Sequence, residues 1–275
     1  MSPTRIGFLL GRDPGPYSVL PRILDRIRAA GVQASVHVLQ TGAELEPWLF
    51  DADLVVLRSL NPHGLALARG IEEAGVPCCN AVDATRLARD KAACLAALER
   101  AGVPVPITVG AESWGQVRAS AAGRAVVIKS VHGSRGSGVL MAEAGALPRD
   151  PSFAGPYLVQ DRIDHRGPDR KVYVVGDRMA GVLRRWPPAG LRDKQGVAFT
   201  PSDRERRIVA ACGHTVGLEL FGVDIVGSSS GPVVVDVNAF PGYKGVAGAD
   251  AWLADHLLGK NRRPQVGQGR RSERV

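Results

Sequence analysis

The stretches Gly222-Val-Asp-Ile-Val226 and Val235-Asp-Val-Asn-Ala-Phe-Pro-Gly-Tyr-Lys-Gly245 decide the fold of this chain. Each begins as a short β-strand that carries an acid, and the second strand has an amide two residues after its acid. Because side chains alternate between the two faces of a strand, Asp236 and Asn238 project from one face. The Ser-Ser-Ser-Gly segment between the strands is typical of a turn. Pairing of the two strands would therefore bring Asp224 to the same face.

Two carboxylates and one carboxamide on one face of a sheet predict a site for a hard cation. Mg²⁺ prefers oxygen ligands of this kind, and the phosphates of a nucleotide commonly complete its coordination. The alternative is a pair of acids beside a turn that only cap the ends of strands. Taken alone, the stretch leaves both interpretations open.

Composition narrows the class of protein. The 275 residues suit two domains or one large one, and a hydrophobic content of 45% can fill a core of mainly Ala, Val and Leu. No apolar run reaches the roughly 18 residues of a membrane span, so no membrane association is expected. The cysteines, at positions 78, 79, 94 and 212, show neither metal nor disulfide spacing. A reducing cytoplasm is therefore the expected location.

The net charge of +8 is concentrated at the C-terminus. From Lys260 onward, six basic residues accompany one acid, which gives a net charge of +5 in a Gly-, Gln- and Arg-rich segment. This composition, without apolar periodicity, predicts that residues 261–275 form a disordered basic tail. The rest of the chain is modestly basic, which suits an anionic substrate, and a nucleic-acid partner is not expected.

Alternating strands and helices predict an N-terminal α/β domain over residues 1–83. Buried strands are expected at 6–11, 36–39, 53–57 and 76–80, with amphipathic helices at 19–30 and 63–74. Such alternation implies a parallel sheet.

The rest of the chain predicts further strands and helices. A single helix over residues 86–101 would place Lys91 on the apolar stripe of Leu87 and Leu95. The segment Val103-Pro-Val-Pro-Ile-Thr108 is expected to be an extended connector, because its prolines exclude a helix. Strands are predicted at 126–129, 139–141, 157–160, 171–175 and 182–185, and helices at 202–220 and 250–258.

A glycine-rich loop, Lys129-Ser-Val-His-Gly-Ser-Arg-Gly-Ser-Gly138, connects two of these strands. Its glycines permit positive φ and expose successive backbone N–H groups, which suits a loop that folds over phosphate oxygens. A strand follows the glycines instead of a helix, so the loop is neither a Walker A motif nor a dinucleotide-binding fingerprint. Lys129, at the strand end, could direct its ammonium at a phosphate. The alternatives are an ordinary glycine hairpin and a solvated edge lysine.

Taken together, these segments resemble the ATP-grasp superfamily, and most closely its α-L-glutamate ligases of the ribosomal-S6-modification type. Eight motifs match in order and spacing over about residues 5–258, which makes the resemblance specific. They are Arg89-Asp-Lys91, Gly102-Val-Pro-Val-Pro106, Val127-Ile-Lys129 with the glycines at 133–138, Leu158-Val-Gln-Asp161, residues 169–177, Arg184-Arg185, Gly222-Val-Asp224, and Asp236-Val-Asn238 with Pro241-Gly242.

The resemblance implies an α/β (α+β) protein with an ATP-grasp fold and an N-terminal parallel α/β pre-ATP-grasp domain. Residues 84–155 would form the central subdomain with the glycine-rich lid loop, and residues 156–260 the C-terminal subdomain with the metal site. The implied cofactors are ATP and Mg²⁺ or Mn²⁺. Lys91 and Lys129 would contact the ATP phosphates, and Asp169 would lie near the ribose. The other implied cofactor-binding residues are Gly133, Ser134, Gly136, Ser137 and Gly138 in the lid loop, and Gln160, Asp161 and Ile163 around the adenine.

The resemblance also implies the reaction. Asp224, Asp236 and Asn238 would bind one or two metal ions, while Arg184 or Arg185 would stabilise a tetrahedral intermediate. Lys171 is a further catalytic candidate. In this family a carboxylate is activated as an acyl phosphate, which an amine then attacks. The expected partners are a small-molecule or peptide carboxylate and an amine acceptor, and a homo-oligomer is left open.

The sequence also departs from the ligase pattern. The second metal-binding acid is usually Glu in those ligases, and here it is Asp236. The Arg-Ser-Asn segment that follows their arginine pair is missing, and residues 191–196 lie in that region. Residues 236–245, His132-Gly133 and residues 171–176 instead resemble the inositol polyphosphate kinases, an ATP-grasp branch that phosphorylates an alcohol. A kinase acting on a phosphorylated polyol is therefore the alternative function.

Overall fold

The computed structural model describes residues 4–40, 44–131, 138–164, 167–185, 193 and 195–260. Within these ranges the chain divides into two units. One comprises the residues up to Cys79 together with those from Leu253 onward, and the other is Asn80–Trp252. None of the helices in the described ranges is long and apolar enough to cross a lipid bilayer. The predicted basic tail, residues 261–275, lies outside the described residues.

The first unit contains the predicted parallel sheet. Its strands are β1 (Arg5–Leu10), β2 (Gln33–Val38), β3 (Leu54–Arg58) and β4 (Cys78–Cys79), in the order β2-β1-β3-β4. The helices are α1 (Leu20–Ala29) and α2 (Pro62–Glu73), and a short 3₁₀ helix spans Pro47–Asp51. The side chains of Ile6 to Leu10 are buried apart from Gly7, which has none, and α1 buries Leu20, Ile23 and Ile27. The apolar run and the helical periodicity therefore predict the strands and helices of this parallel sheet, with shifts of a few residues at their ends.

The second unit begins with two short helices where the sequence predicts one. They are α3 (Val82–Arg89) and α4 (Lys91–Arg100), and Asp90 interrupts them with φ −81° and ψ 93°. Its side chain accepts the N–H of Ala93 at 2.9 Å, so Asp90 acts as the N-cap of α4. The prediction of a continuous helix over 86–101, with Lys91 in its middle, is wrong. Lys91 instead occupies the first turn of α4.

An antiparallel four-stranded sheet follows, in the order β5-β8-β6-β7. Its strands are β5 (Thr108–Ala111), β6 (Val126–Ser130), β7 (Val139–Ala142) and β8 (Tyr157–Asp161), with α5 (Trp114–Ser120) after β5. Val117 of α5 packs in one core with Ile128 and Val159, which face each other on neighbouring strands. The opposite face of this sheet carries Lys129 and Gln160.

The five-stranded antiparallel sheet carries the predicted acids. Its order is β11-β10-β9-β12-β13, with β9 (Asp169–Val175), β10 (Arg178–Arg184), β11 (Val197–Phe199), β12 (Leu220–Ser228) and β13 (Gly231–Ala239). Helix α6 (Asp203–Val216) precedes β12, and α7 (Ala249–Gly259) follows the sheet. Ser202 and Glu205 form a capping box at the start of α6. The helix ends four residues before the predicted Leu220, because Gly217 adopts the left-handed conformation with φ 78°.

The apolar core of the second unit lies under one face of this sheet. Val172, Val223 and Val237 pack there with residues of α3, α4 and α6, including Cys212 and Leu98. Because neighbouring positions on a strand point to opposite faces, the intervening residues of β9, β12 and β13 project from the other face. That other face is where the polar residues of the predicted site lie.

Candidate active site

The three predicted metal ligands lie together on one face of the sheet. In the antiparallel pairing of β12 with β13, Asp224 is directly opposite Asp236, and Asn238 is opposite Gly222. The amide nitrogen of Asn238 lies 3.1 Å from Oδ2 of Asp224 and 3.1 Å from Oδ2 of Asp236. Strand pairing therefore joins the acids of both strands into one cluster, as expected from the alternation of side chains.

Lys171 provides the positive charge beside this cluster. It lies opposite Asp224 in the pairing of β9 with β12, and its Nζ is 2.6 Å from Oδ2 of Asp224. Two carboxylates directly opposite each other repel, and a buried ammonium must itself be paired. Lys171 is only 5% exposed, so its ion pair with Asp224 meets both requirements.

The chemistry of the cluster fits a divalent cation. The carboxylates of Asp224 and Asp236 are ionisable oxygen donors on neighbouring strands. Rotation of the Asn238 carboxamide by a half-turn would exchange its oxygen and nitrogen. The amide oxygen would then lie beside the two carboxylates as a third oxygen donor. Carboxylate and amide oxygens are the ligands that Mg²⁺ and Mn²⁺ accept.

A β-bulge connects this cluster to the lysine before the glycine-rich loop. Asp224 pairs with Asp236, but the next residue, Ile225, pairs with Val234, so Val235 is an extra residue on β13. The carbonyl oxygen of Val235 accepts a hydrogen bond from Nζ of Lys129 at 2.9 Å. The bulge thus provides the contact that brings Lys129 to β13, the strand that carries two of the predicted metal ligands.

A small cavity contains both predicted phosphate-binding lysines. Lys91, Lys129 and Asp236 line it together, and the other lining residues are Ala88, Cys94, Leu95, Val235 and Val237. Nζ of Lys91 donates to the carbonyl of Val131 at 3.4 Å. Burial lowers the pKa of Lys129, while the carboxylates of Asp236 and Asp224 oppose this effect. The cavity therefore places two ammonium groups beside one carboxylate of the predicted metal site, an arrangement that suits phosphate binding.

The residues predicted to contact adenosine lie on or beside β8 and β9. Gln160 is 2% exposed and donates from Nε2 to the hydroxyl of Thr108 at 3.0 Å. Asp161 forms an ion pair with Arg124, and Ile163 is half-buried after the end of β8. Asp169 begins β9, opposite Arg184. Their contacts with a nucleotide remain predictions.

Of the five lid-loop residues predicted to bind the cofactor, only Gly138 lies in the described part of the chain. Gly138 has φ 73°, and a Cβ atom there would come within 2.8 Å of the Cβ of Ser130, so glycine is required. The strands that flank the loop, β6 and β7, form as predicted and pair with each other in antiparallel orientation. Gly133, Ser134, Gly136 and Ser137 lie outside the described residues.

The structure distinguishes the two predicted catalytic arginines. Arg184 ends β10 and donates a hydrogen bond from its guanidinium to the hydroxyl of Tyr173, on the sheet face that carries the carboxylate cluster. Arg185 follows the strand and is exposed. Tyr173 was not among the predicted site residues. Its position two residues after Lys171 on the same strand is the signal that could have identified it.

A protein-family model described as the RimK-like ATP-grasp domain matches residues 88–255, which include every described residue of this site. The chain belongs to this ATP-grasp family. Similar curated proteins agree with the assignment. A probable α-L-glutamate ligase of Trichodesmium erythraeum (strain IMS101) is 34% identical over 201 residues, which cover 67% of each protein. A probable α-L-glutamate ligase 1 of Hahella chejuensis is 31% identical over 275 residues, with 86% of this chain and 88% of the relative covered.

Solved structures show that the fold of this RimK-like protein is that of ATP-grasp ligases. A RimK domain protein from Sphaerobacter thermophilus aligns with a TM-score of 0.72 and 22% identity, covering 93% of this chain and 100% of that one. A D-alanine–D-alanine ligase from Bacillus anthracis, solved with ATP, aligns with a TM-score of 0.64 and 13% identity, covering 93% and 95%. The predicted α/β ATP-grasp fold is confirmed.

Family membership also confirms the predicted class of enzyme. This RimK-like ATP-grasp protein is an ATP-dependent carboxylate–amine ligase, and its family implies the use of ATP with a divalent metal ion. The likeness to inositol polyphosphate kinases is limited to the few motifs quoted above.

Proposed function

We propose that this ligase phosphorylates a substrate carboxylate with ATP and transfers the resulting acyl group to an amine, with L-glutamate as one of its two substrates. Glutamate is suggested by the names of the curated relatives. The observation that carries the proposal is the cavity shared by Lys91, Lys129 and Asp236, beside the carboxylate cluster.

The two lysines of the cavity would bind the phosphates of ATP. Lys129 is held at the bulge by the carbonyl of Val235, and Lys91 approaches from the first turn of α4. An ammonium is a compact point charge that tolerates several phosphate geometries. Together they would offset negative charge on the transferring phosphoryl group, where preorganised charge contributes most to the rate.

Asp224, Asp236 and Asn238 would hold Mg²⁺ or Mn²⁺ in this scheme. A bound divalent cation would neutralise phosphate charge and orient the phosphates. Lys171 holds the carboxylate of Asp224 in place through the 2.6 Å ion pair. Asp236 lines the cavity and also belongs to the cluster, so it would connect the metal site with the phosphate site.

The reaction would proceed in two balanced steps. A carboxylate oxygen of the acid attacks the γ-phosphorus of ATP, the bond to the β-phosphate oxygen breaks, and ADP leaves. The amine nitrogen then attacks the acyl carbon, loses a proton, and inorganic phosphate leaves with the bonding electrons. Arg184, at the edge of the same sheet face, would stabilise the oxyanion of the tetrahedral intermediate.

A substrate panel tests this function. ADP release would be measured with L-glutamate in combination with amines and with peptides that offer a C-terminal carboxylate, and each component would be omitted in turn. Hydroxylamine in place of the amine should yield a hydroxamate, because it traps an acyl phosphate. We expect ADP release only when acid, nucleophile and ATP are all present.

Two outcomes would contradict the proposal. A stable product that carries the γ-phosphate, without any hydroxamate, would identify a kinase. Equal activity in Asp236→Asn and wild type would exclude the proposed metal site. Asp203→Asn is the matched control, since Asp203 is an exposed acid in the first turn of α6 and should retain full activity.

A further inference from the structure

Tyr173 occupies a central position on the face that carries the site. It lies between Ala180 of β10 and Gly222 of β12, and Gly222 is in turn opposite Asn238. The residue is only 2% exposed. Its ring packs against the ring of Tyr243, with centroids 5.3 Å apart. The phenol is therefore held rigidly on the site face, in the same cross-strand row as Gly222 and Asn238.

The hydroxyl of Tyr173 receives hydrogen bonds from two directions. The guanidinium of Arg184 donates to it from the neighbouring strand, and the backbone N–H of Lys244 donates to it as well. Burial raises the pKa of Tyr173, which keeps it a neutral phenol at physiological pH. A neutral phenol accepts from a cation without neutralising its charge, so Arg184 keeps its charge for another anion.

Arg184 retains a donor for such an anion. Its Nε atom is buried and has no hydrogen-bond partner among the described residues. Its guanidinium carbon lies 5.4 Å from the centre of the Tyr173 ring. Buried charged donors usually have partners, so an unpaired N–H of an arginine next to a catalytic cluster points to an interaction formed only when substrate is bound.

The space between Gly222 and the Tyr173 ring is too small for a side chain at position 222. A Cβ atom at this position would come within 3.0 Å of the side chain of Lys171, 3.2 Å of Pro241 and 3.3 Å of the Tyr173 ring. A larger residue would displace the ring or the lysine. The absence of a side chain at 222 thus lets Tyr173 and Lys171 lie next to each other on the site face.

We infer that Tyr173 is a positioning residue, whose hydroxyl holds the guanidinium of Arg184 so that its unpaired edge receives the anionic oxygen of the acyl substrate or tetrahedral intermediate. The inference rests on the proposed function for its chemistry, and on the geometry of β9 and β10 for the pair itself. Tyr173 acts through Arg184 and does not exchange a proton with the substrate.

The test uses Tyr173→Phe in the full-length enzyme. This change removes the hydroxyl and keeps the ring that packs on Tyr243. With the acid and nucleophile that support ADP release, kcat should fall by about 10-fold or more, because a hydrogen bond to a charged group is lost. The KM for ATP should not change. Tyr243→Phe is the matched control: it removes a hydroxyl bonded to the carbonyl of Val174 at 2.8 Å, and should lower Tm while retaining kcat.

A double-mutant cycle with Arg184→Lys separates positioning from general damage. If Tyr173 acts through Arg184, its removal should have little further effect on kcat in the Arg184→Lys background. Independent, multiplicative effects of the two changes would overturn the inference. Wild-type kcat in Tyr173→Phe would overturn it as well.

A spectroscopic measurement keeps the inference testable if the substrates are not found. The buried Nε–H of Arg184 should give a slowly exchanging ¹H–¹⁵N signal, assigned by its absence in Arg184→Lys. Tyr173→Phe should shift this signal and accelerate its exchange, whereas Tyr243→Phe should not. An unchanged signal would overturn the inference. Failure of the proposed function would instead appear as wild-type enzyme that releases no ADP with any acid and amine.

Discussion

Replacement of Lys129 by Met should separate nucleotide binding from stability. Lys129 lies in the cavity with Lys91 and Asp236, and its ammonium donates to the carbonyl of Val235 at 2.9 Å. Methionine keeps an unbranched side chain, one atom shorter than that of lysine, which can pack in the same space, and it removes the charge. The expected result is a protein that folds normally and binds ATP poorly.

The expected changes in ATP affinity and in stability have separate causes. A hydrogen bond between a charged group and phosphate contributes about 1.5–3 kcal/mol, so the Kd for ATP should rise about 10- to 150-fold. In the free protein, burial lowers the pKa of Lys129, which means that the folded state disfavours its charged form. Methionine removes this cost, which stabilises the protein, and it also removes the hydrogen bond to Val235, which destabilises it. Because the two effects offset each other, the free energy of unfolding should change by less than about 1 kcal/mol.

Isothermal titration calorimetry with Mg²⁺ and a non-hydrolysable ATP analogue measures the affinity, and urea unfolding measures the stability. Arg100→Met is the control for a simple loss of surface charge, because Arg100 is an exposed residue in the last turn of α4. It should leave the Kd unchanged. A wild-type Kd in Lys129→Met would refute the assigned role, and an unfolded protein would refute the estimate of stability.

Two further predictions concern carboxylates. Asp236→Asn should lower kcat by at least about 100-fold and abolish the rise in Tm that Mg²⁺ and ATP produce in wild type. The Tm of the metal-free variant should stay within a few degrees of the wild-type Tm. A rise in Tm with Mg²⁺ and ATP in the variant would contradict the metal role of Asp236. Burial tends to raise the pKa of Glu205, but hydrogen bonds from Ser202 and Arg170 outweigh it and lower the pKa below the ordinary 4.5. The stabilisation that Glu205 provides is therefore complete above pH 4.5 and is lost as the pH falls through the depressed pKa. Glu205→Gln should therefore lose less stability than wild type between about pH 6 and about pH 3 in thermal unfolding, and equal losses would contradict this.

Local patterns predicted most of the elements, and the misses have local causes. The apolar stripe of Leu87 and Leu95 predicts one continuous helix over 86–101, whereas the side chain of Asp90 caps α4 and so divides the segment into two helices. Strand β5, helix α5 and strand β11 were not predicted. They are short, and Thr108–Ala111 and Val197–Phe199 are mostly exposed, so neither carries the alternation that marks a half-buried strand.

The candidate site divides in a similar way. The positions of Asp236 and Asn238 on one face could be predicted, because a strand has a period of two residues whatever surrounds it. The difference between Arg184 and Arg185 could not be predicted. Arg184 is bonded to Tyr173 and Arg185 is exposed, and this depends on where β10 ends against β9.

By itself, the sequence determined the acid-bearing strands, the glycine-rich loop and the ATP-grasp family, since each depends on residue types at short spacing. Only the tertiary structure decided that Lys171 pairs with Asp224, 53 residues away, and that Lys129 reaches the carbonyl of Val235, 106 residues away. The first contact depends on the register of β9 against β12, and the second on the bulge in β13. Register is set by the packing of whole strands, so no local pattern of residues specifies it.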